Sequence, residues 1–288
     1  MIDPHPPLPV VAEAVARALA EDLAPLGDMT SGLLALPAQA SALLVSRAEG
    51  VMAGRMCATE AFRQVDPTVV VEWHFDDSAE IGAGDVLGRV EGPLPSILTA
   101  ERTALNFLCH LSGVATLTRR YVRATHGRAT ILDTRKTTPG LRALEKAAVR
   151  AGGGANHRGS LSDGVLLKDN HLLGVDIVEA VSRARRRWPG RMVEVECDTL
   201  DQVDEALAAG ATVVMLDNMS LDQVRAAADR ALGLAEATGR PPVPLEVSGG
   251  VSLETAGDYA AVEGVSYLSV GALTHSAPVL DIGLDLER

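Results

Sequence analysis

The sequence predicts an α/β protein of two textures: a mixed α+β segment up to about residue 110, then a parallel sheet with helices outside it. Three observations carry this reading. Short β-rich apolar runs recur from residue 129 onward. Helical patterns lie between most of them, and polar residues end almost every run. That last feature favours a barrel over an open sheet, because parallel barrels keep their chemistry at the carboxyl ends of the strands.

Taken in order, Val10–Leu23 places Val11, Val15, Ala18, Leu19 and Leu23 on one helical face. Ala42–Val51, Thr68–Phe75 and Gly82–Val90 read as strands, with a helix over Gly54–Val65 between the first two. Pro95 suits the first turn of a helix expected to run to about His110, since its missing N–H needs no partner there. Beyond that point six strands are expected: Ala129–Asp133, Gly164–Leu167, Met192–Cys197, Thr212–Asp217, Val243–Ser248 and Val265–Val270. The intervening helices are Leu141–Ala151, Val175–Trp188, Leu200–Ala209, Leu221–Ala237 and Leu253–Ala261. Thr199 and Ser220 precede acidic first turns, as N-caps do.

Composition narrows the function. The 288 residues are enough for one large domain or two ordinary ones. Apolar residues make up 47% and charged residues 22%, a globular balance. No apolar run approaches the roughly 20 residues of a membrane helix. The net charge of −12 and the 3% aromatic content argue against nucleic acid and anionic membranes as partners. The start MIDPHPPLPV lacks the basic residues of a secretory signal, and Cys57, Cys109 and Cys197 are too scattered for a disulfide framework, so a cytoplasmic protein is expected. Of 26 basic residues only Lys136, Lys146 and Lys168 are lysines, and they cluster. That clustering marks places where a compact charge serves and a planar fork does not.

The strand ends read Asp133-Thr134-Arg135-Lys136, then Lys168-Asp169-Asn170-His171, Glu196, Asp217-Asn218, Ser248-Gly249-Gly250 and Gly271. Arg135, Lys136, His157, Arg158 and Lys168 lie within about 35 residues, and Arg102 precedes them. So many converging cations call for a polyanion. Glu196 and Asp217 on neighbouring strands suit sugar hydroxyls or Mg²⁺, with burial as partners of Lys168 the plainer alternative. The glycine-bearing ends at 248–250 and 270–272 suit a phosphate. Neither a Walker nor a Rossmann pattern is present. His5, His74, His110 and His126 read as structural.

These motifs carry a resemblance that runs nearly end to end. Glu21-Asp22-Leu23 with Gly27-Asp28-Met29-Thr30-Ser31, Glu101 to Asn106 and Leu111 to Thr116 open it. Asp133 to Gly140, Gly152 to Arg158 and Lys168 to His171 form its most specific part. Val193 to Glu196, Leu216 to Asn218, Ser248 to Gly250 and Val270 to His275 complete it. The chain resembles the quinolinate phosphoribosyltransferases, the decarboxylating nicotinate-nucleotide pyrophosphorylases of NAD biosynthesis. Two departures are mild: Cys109-His110 stands where a Gln-Arg-like pair is common, and LLKDNH replaces LIKDNH.

The resemblance implies an N-terminal α/β sandwich over residues 1–110, joined by a tail over 275–288, and an incomplete seven-stranded α/β barrel over 111–274. It implies a homodimer, with higher oligomers allowed, in which Arg102 reaches the neighbour's site. It assigns Arg102, Arg135, Lys136, His157, Arg158 and Lys168 to the quinolinate carboxylates. It assigns Lys136, Lys168, Glu196, Asp217, Ser248, Gly249, Gly250, Val270, Gly271 and Ala272 to phosphoribosyl pyrophosphate. Lys136, Lys168, Glu196 and Asp217 are its catalytic set, and Mg²⁺ at Glu196 and Asp217 is its cofactor. Rival readings are a sister enzyme acting on another aromatic acid, a non-catalytic binding module, and an aldolase-type barrel with a Schiff base on Lys168.

Overall fold

The computed structural model describes residues 4–33 and 39–287. They form two compact units: Met1–Arg119 with Lys136–Gly153 and Ala272–Arg288, and Arg120–Arg135 with Gly154–Gly271. This division differs from a single cut near residue 110. The tail expectation extends to Arg288, which lies outside the described residues.

In chain order the first stretch is α1 (Leu8–Leu23), β1 (Gln39–Ser46), β2 (Gly50–Val51), α2 (Arg55–Val65), β3 (Val70–Trp73), β4 (Glu80–Ile81), β5 (Val86–Pro93) and α3 (Leu94–Ala124). There follow β6 (Thr130–Leu132), α4 (Arg142–Ala151), β7 (Val165–Leu167), α5 (Ile177–Arg187), β8 (Val193–Cys197), α6 (Leu200–Ala209) and β9 (Val213–Asp217). The chain ends with α7 (Leu221–Thr238), β10 (Leu245–Ser248), α8 (Leu253–Ala260), β11 (Val265–Ser269), α9 (Ala272–His275) and β12 (Ile282–Leu286).

The first unit holds an antiparallel sheet in the order β12-β1-β5-β3 and a two-stranded ribbon of β2 and β4. The C-terminal strand β12 pairs along β1 from Ala42↔Leu286 to Ser46↔Ile282. The Asp28 carboxylate in the GDMTS motif accepts from Thr30 N, Ser31 N, Ser31 Oγ and Thr99 Oγ1, at 2.5 to 3.0 Å. Those bonds, Ser31's first, hold its carboxyl down at about 2.

Helix α3 is the main departure from the expected elements. It was expected to stop near His110 and instead runs for 31 residues. The apolar period continues through Leu111, Val114 and Ala115, all buried. Gly113 does not break the helix; a Cβ there would lie 2.1 Å from the Pro278 carbonyl oxygen, so the glycine admits the returning chain. Ser112 Oγ both accepts from Ala53 N and donates to Ala53 O, and Thr116 Oγ1 accepts from Val51 N. The LSGVAT motif is thus a docking face for the β2 region and the tail.

The second unit holds a six-stranded parallel sheet in the order β6-β11-β10-β9-β8-β7. All six expected strands form, each within two residues of its expected ends. Four neighbours are consecutive in sequence, which is the strand–helix–strand pattern. The seventh barrel position is reduced to one bridge, where Ala155 pairs in parallel with Leu132. The sheet is rolled. His157, two residues past that bridge, contacts side chains from both β8 and β10, which a flat sheet holds apart. Helices α6 and α7 begin with reciprocal capping boxes, Thr199 with Gln202 and Ser220 with Gln223.

Candidate active site

Sheet register aligns the carboxyl ends of the second unit. Leu167 pairs with Val195, so Lys168 and Glu196 come next in line on adjacent strands. Their side chains form an ion pair. The LKDNH turn fixes the lysine's backbone: Lys168 N donates to His171 Nδ1 at 3.0 Å, and His171 N donates to Lys168 O at 2.8 Å. Lys168 remains 39% exposed at its side chain, so the pair faces an opening.

Asp217, Ser248, Ser269 and Leu132 form one row across β9, β10, β11 and β6. The Asp217 carboxylate accepts from Asn218 Nδ2 at 2.7 Å. Asn218 adopts φ 54° and donates its N–H to Ser248 O at 2.9 Å. Gly249 is required on two counts: its φ is +81°, and a Cβ would sit 2.2 Å from Asn218 Oδ1. Gly250 follows at φ +66° before Ser252 caps α8. Consecutive left-handed residues ahead of a helix N-terminus turn backbone N–H groups outward, a geometry suited to phosphate. Val270 N donates to Leu132 O, which holds the second glycine-bearing end beside β6.

Arg135 and Arg158 are both half-buried. Burial and then Arg135's charge hold Arg158 below the usual guanidinium value. Arg158 projects from the segment after the Ala155 bridge. There Asp133, fully buried, accepts from Asn156 Nδ2 at 2.5 Å and from His157 N at 3.0 Å.

His157 turns inward. Its side chain is 8% exposed, with Nε2 at 3.0 Å from Glu194 Oε2 and 3.5 Å from Glu246 Oε2. Ser269 Oγ donates to Glu246 Oε1 at 2.5 Å. Arg158 N donates to His157 Nδ1 at 2.7 Å, which leaves Nε2 as the ring's own N–H donor. Burial opposes a charged ring, while the bonds and charges of Glu194 and Glu246 favour one and raise His157; the Arg158 N–H at Nδ1 counts the other way, because a protonated Nδ1 cannot accept it. Burial also raises Glu194.

Glu194 and Glu246 were not among the expected site residues. The sequence carried a signal for them. In a strand, residues two apart share a face, so VEVE places Glu194 beside Glu196, and LEVS places Glu246 beside Ser248.

Arg102, Lys136 and Ala272 belong to the first unit. Arg102 is exposed and lines a cavity of about 580 Å³ with Glu21, Asp22, Asn106, His110 and Gly140. Residues from three of the motifs therefore meet around one cavity. The loop bearing Lys136 is pinned at three points: Thr274 Oγ1 donates to Lys136 O, Arg142 Nε to Thr137 Oγ1 and Thr138 N to Glu145 Oε2. Glu145 is fully buried and also bonds His110 Nε2 at 2.9 Å.

Comparison with known proteins divides the chain once, near residue 113, and not along the two structural units. Residues 28–112 match the family model for the N-terminal domain of quinolinate phosphoribosyl transferase, and residues 114–285 match that for its C-terminal domain. A nicotinate-nucleotide pyrophosphorylase [carboxylating] of Mycobacterium leprae is 44% identical over 281 residues, covering 95% of this chain and 96% of that protein. A mitochondrial quinolinate phosphoribosyltransferase [decarboxylating] of Nicotiana tabacum is 38% identical, over 96% of this chain and 82% of its own. The solved nicotinate-nucleotide pyrophosphorylase of Francisella tularensis superposes with a TM-score of 0.91 at 37% identity, over 99% of both chains.

Proposed function

The chain belongs to the quinolinate phosphoribosyltransferase family, and from that membership we propose that it transfers phosphoribose from phosphoribosyl pyrophosphate to quinolinate with loss of carbon dioxide, giving nicotinate mononucleotide and pyrophosphate. The observation that supports this most is the pair Arg135 and Arg158, two guanidiniums close enough for one to depress the other. Such a pair is relieved by a dianion, and two adjacent ring carboxylates supply one.

In this reading Arg135 and Arg158, with Lys136 and Arg102, clamp the two carboxylates and aim the ring nitrogen at ribose C1. Glu196 and Asp217 accept bonds from the ribose hydroxyls. The turns at 248–250 and 270–272 take the 5′-phosphate. As pyrophosphate leaves, C1 develops positive charge beside those carboxylates, and Lys136 and Lys168 balance the negative charge of the leaving group. The ring nitrogen's bond to C1 makes a pyridinium. As carbon dioxide departs, the electrons of the C2–carboxylate bond stay on C2 as a carbanion stabilised by the adjacent positive nitrogen, and a proton then bonds to C2. Two oxygen-only donors on adjacent strand ends fit Mg²⁺, which binds through one or two carboxylates together with substrate phosphates. When bound, the ion supplies charge neutralisation to the pyrophosphate.

A Schiff-base role for Lys168 is disfavoured, because an ammonium paired with Glu196 carries no lone pair. We also propose a homodimer, with Arg102 supplied across the interface and the cytoplasm as its setting; the exposed Arg102 and its motif-lined cavity support the shared site. The reaction is tested by incubating the protein with Mg²⁺, phosphoribosyl pyrophosphate and either quinolinate or nicotinate, and separating products by chromatography. Nicotinate mononucleotide from quinolinate alone is expected. Product from nicotinate at equal rate would contradict a dicarboxylate pocket.

A further inference from the structure

Arg158 sits on a segment with little backbone support. Among the described residues, the only ladder contact between Gly154 and Val165 is the Ala155–Leu132 bridge. The Arg158 guanidinium reaches one backbone group, the Gly164 carbonyl oxygen at 3.5 Å, so most of its direction must come from side chains. Its own N–H is held by His157 Nδ1, and that ring is oriented from the other side, through Nε2, by Glu194 and Glu246.

We propose that Glu194 and Glu246 are positioning residues for the dicarboxylate grip of Arg158, acting through the His157 ring. The inference rests on the proposed reading that Arg158 binds quinolinate.

Three features support it. The first is placement: each carboxylate lies two residues before a residue of the ligand-facing layer, on the same face of its strand, so β8 and β10 each carry a supporting group beneath a binding group. The second is that both carboxylates are almost wholly buried, at 0% and 2% exposure. Apolar side chains would fill a barrel interior at lower cost, so fold stability does not explain two acids there. The third is connectivity: Ser269 on β11 holds Glu246, so the strand carrying the second phosphate turn also braces the ring. The donor atoms of His157, Glu194 and Glu246 lie within 4.8 Å of one another, which suggests a cation site. That reading fails on the ring: Nδ1 is occupied by Arg158 N–H, and Nε2 is a donor with no lone pair for a metal.

The test is steady-state kinetics on the full-length enzyme with Arg158→Lys, Glu246→Gln and the double variant. Arg158→Lys is expected to raise KM for quinolinate by about tenfold or more. Glu246→Gln keeps shape and is expected to raise the same KM about threefold to tenfold, with kcat and KM for phosphoribosyl pyrophosphate within about twofold of wild type. The double variant is expected to be no worse than Arg158→Lys, because the brace has nothing left to position. Effects that multiply, that fall equally on both substrates, or that vanish in Glu246→Gln would overturn the proposal. If Arg158→Lys itself leaves quinolinate KM unchanged, the pocket reading fails, and the coupling proposal with it. Should Glu246→Gln not fold, Ser269→Ala removes only the bond to Glu246 Oε1 and carries the same comparison.

Discussion

After burial, Arg135's charge helps hold Arg158 below the usual guanidinium value, and in the proposed pocket each guanidinium is worth most when a dianion lies between them. Truncating Arg135→Ala removes a charge-assisted bond of about 1.5–3 kcal/mol. The expected result is a rise of roughly tenfold to a hundredfold in KM for quinolinate by steady-state assay. At the same scale, Asp28 predicts an acid limb of stability. Its folded pKa is about 2 against an ordinary 3.8, so its contribution is complete above 3.8 and is lost as pH falls through 2. Thermal midpoints should drop over that window, and Asp28→Asn should flatten the drop. Most cations of the site were legible in the sequence because they sit where strand runs stop. The roles of His157, Glu194 and Glu246 were not, because a motif shows which residues recur together and not which way a ring turns. Strand alternation pointed to the two acids, but nothing local showed that β8 and β10 would face the same imidazole.

Among the elements, the parallel strands were readable to within a residue or two because each is a short apolar run closed by polar residues. Helix α3 was not: the expected helix ends near His110, and the reason a glycine lies within the longer one shows only when Pro278 is placed against Gly113. Gly113→Ala is expected to cost about 2 kcal/mol or more, since the new methyl meets backbone that cannot withdraw, and the thermal midpoint measures it. The turn after β10 predicts a more selective defect. Gly249→Ala forces a left-handed residue into Asn218, and both neighbours belong to the proposed phosphate and ribose pocket. Its KM for phosphoribosyl pyrophosphate should rise more than its KM for quinolinate, and a larger effect on quinolinate would count against the assignment of that turn.

For the whole molecule, the sequence marked two textures, and the resemblance added a tail from 275 that rejoins the first. The chain returns to its first unit at Ala272–Arg288, where β12 pairs with β1, and also at Lys136–Gly153, a return that was not expected. No local pattern near residue 136 announces such a return. The proposed shared site makes a subunit prediction. Arg102→Ala and Lys168→Ala should each be nearly inactive as pure dimers. Unfolded and refolded together, random pairing should regain about a quarter of wild-type activity, because each mixed dimer holds one intact site. No regain would place Arg102 outside the partner's site. The central claim joins transfer and decarboxylation in one pocket, and isotope stoichiometry tests it most directly. Quinolinate labelled in its 2-carboxylate is supplied with phosphoribosyl pyrophosphate and Mg²⁺, and labelled carbon dioxide is counted against pyrophosphate. One carbon dioxide per pyrophosphate is the expected result; pyrophosphate released without carbon dioxide would contradict it.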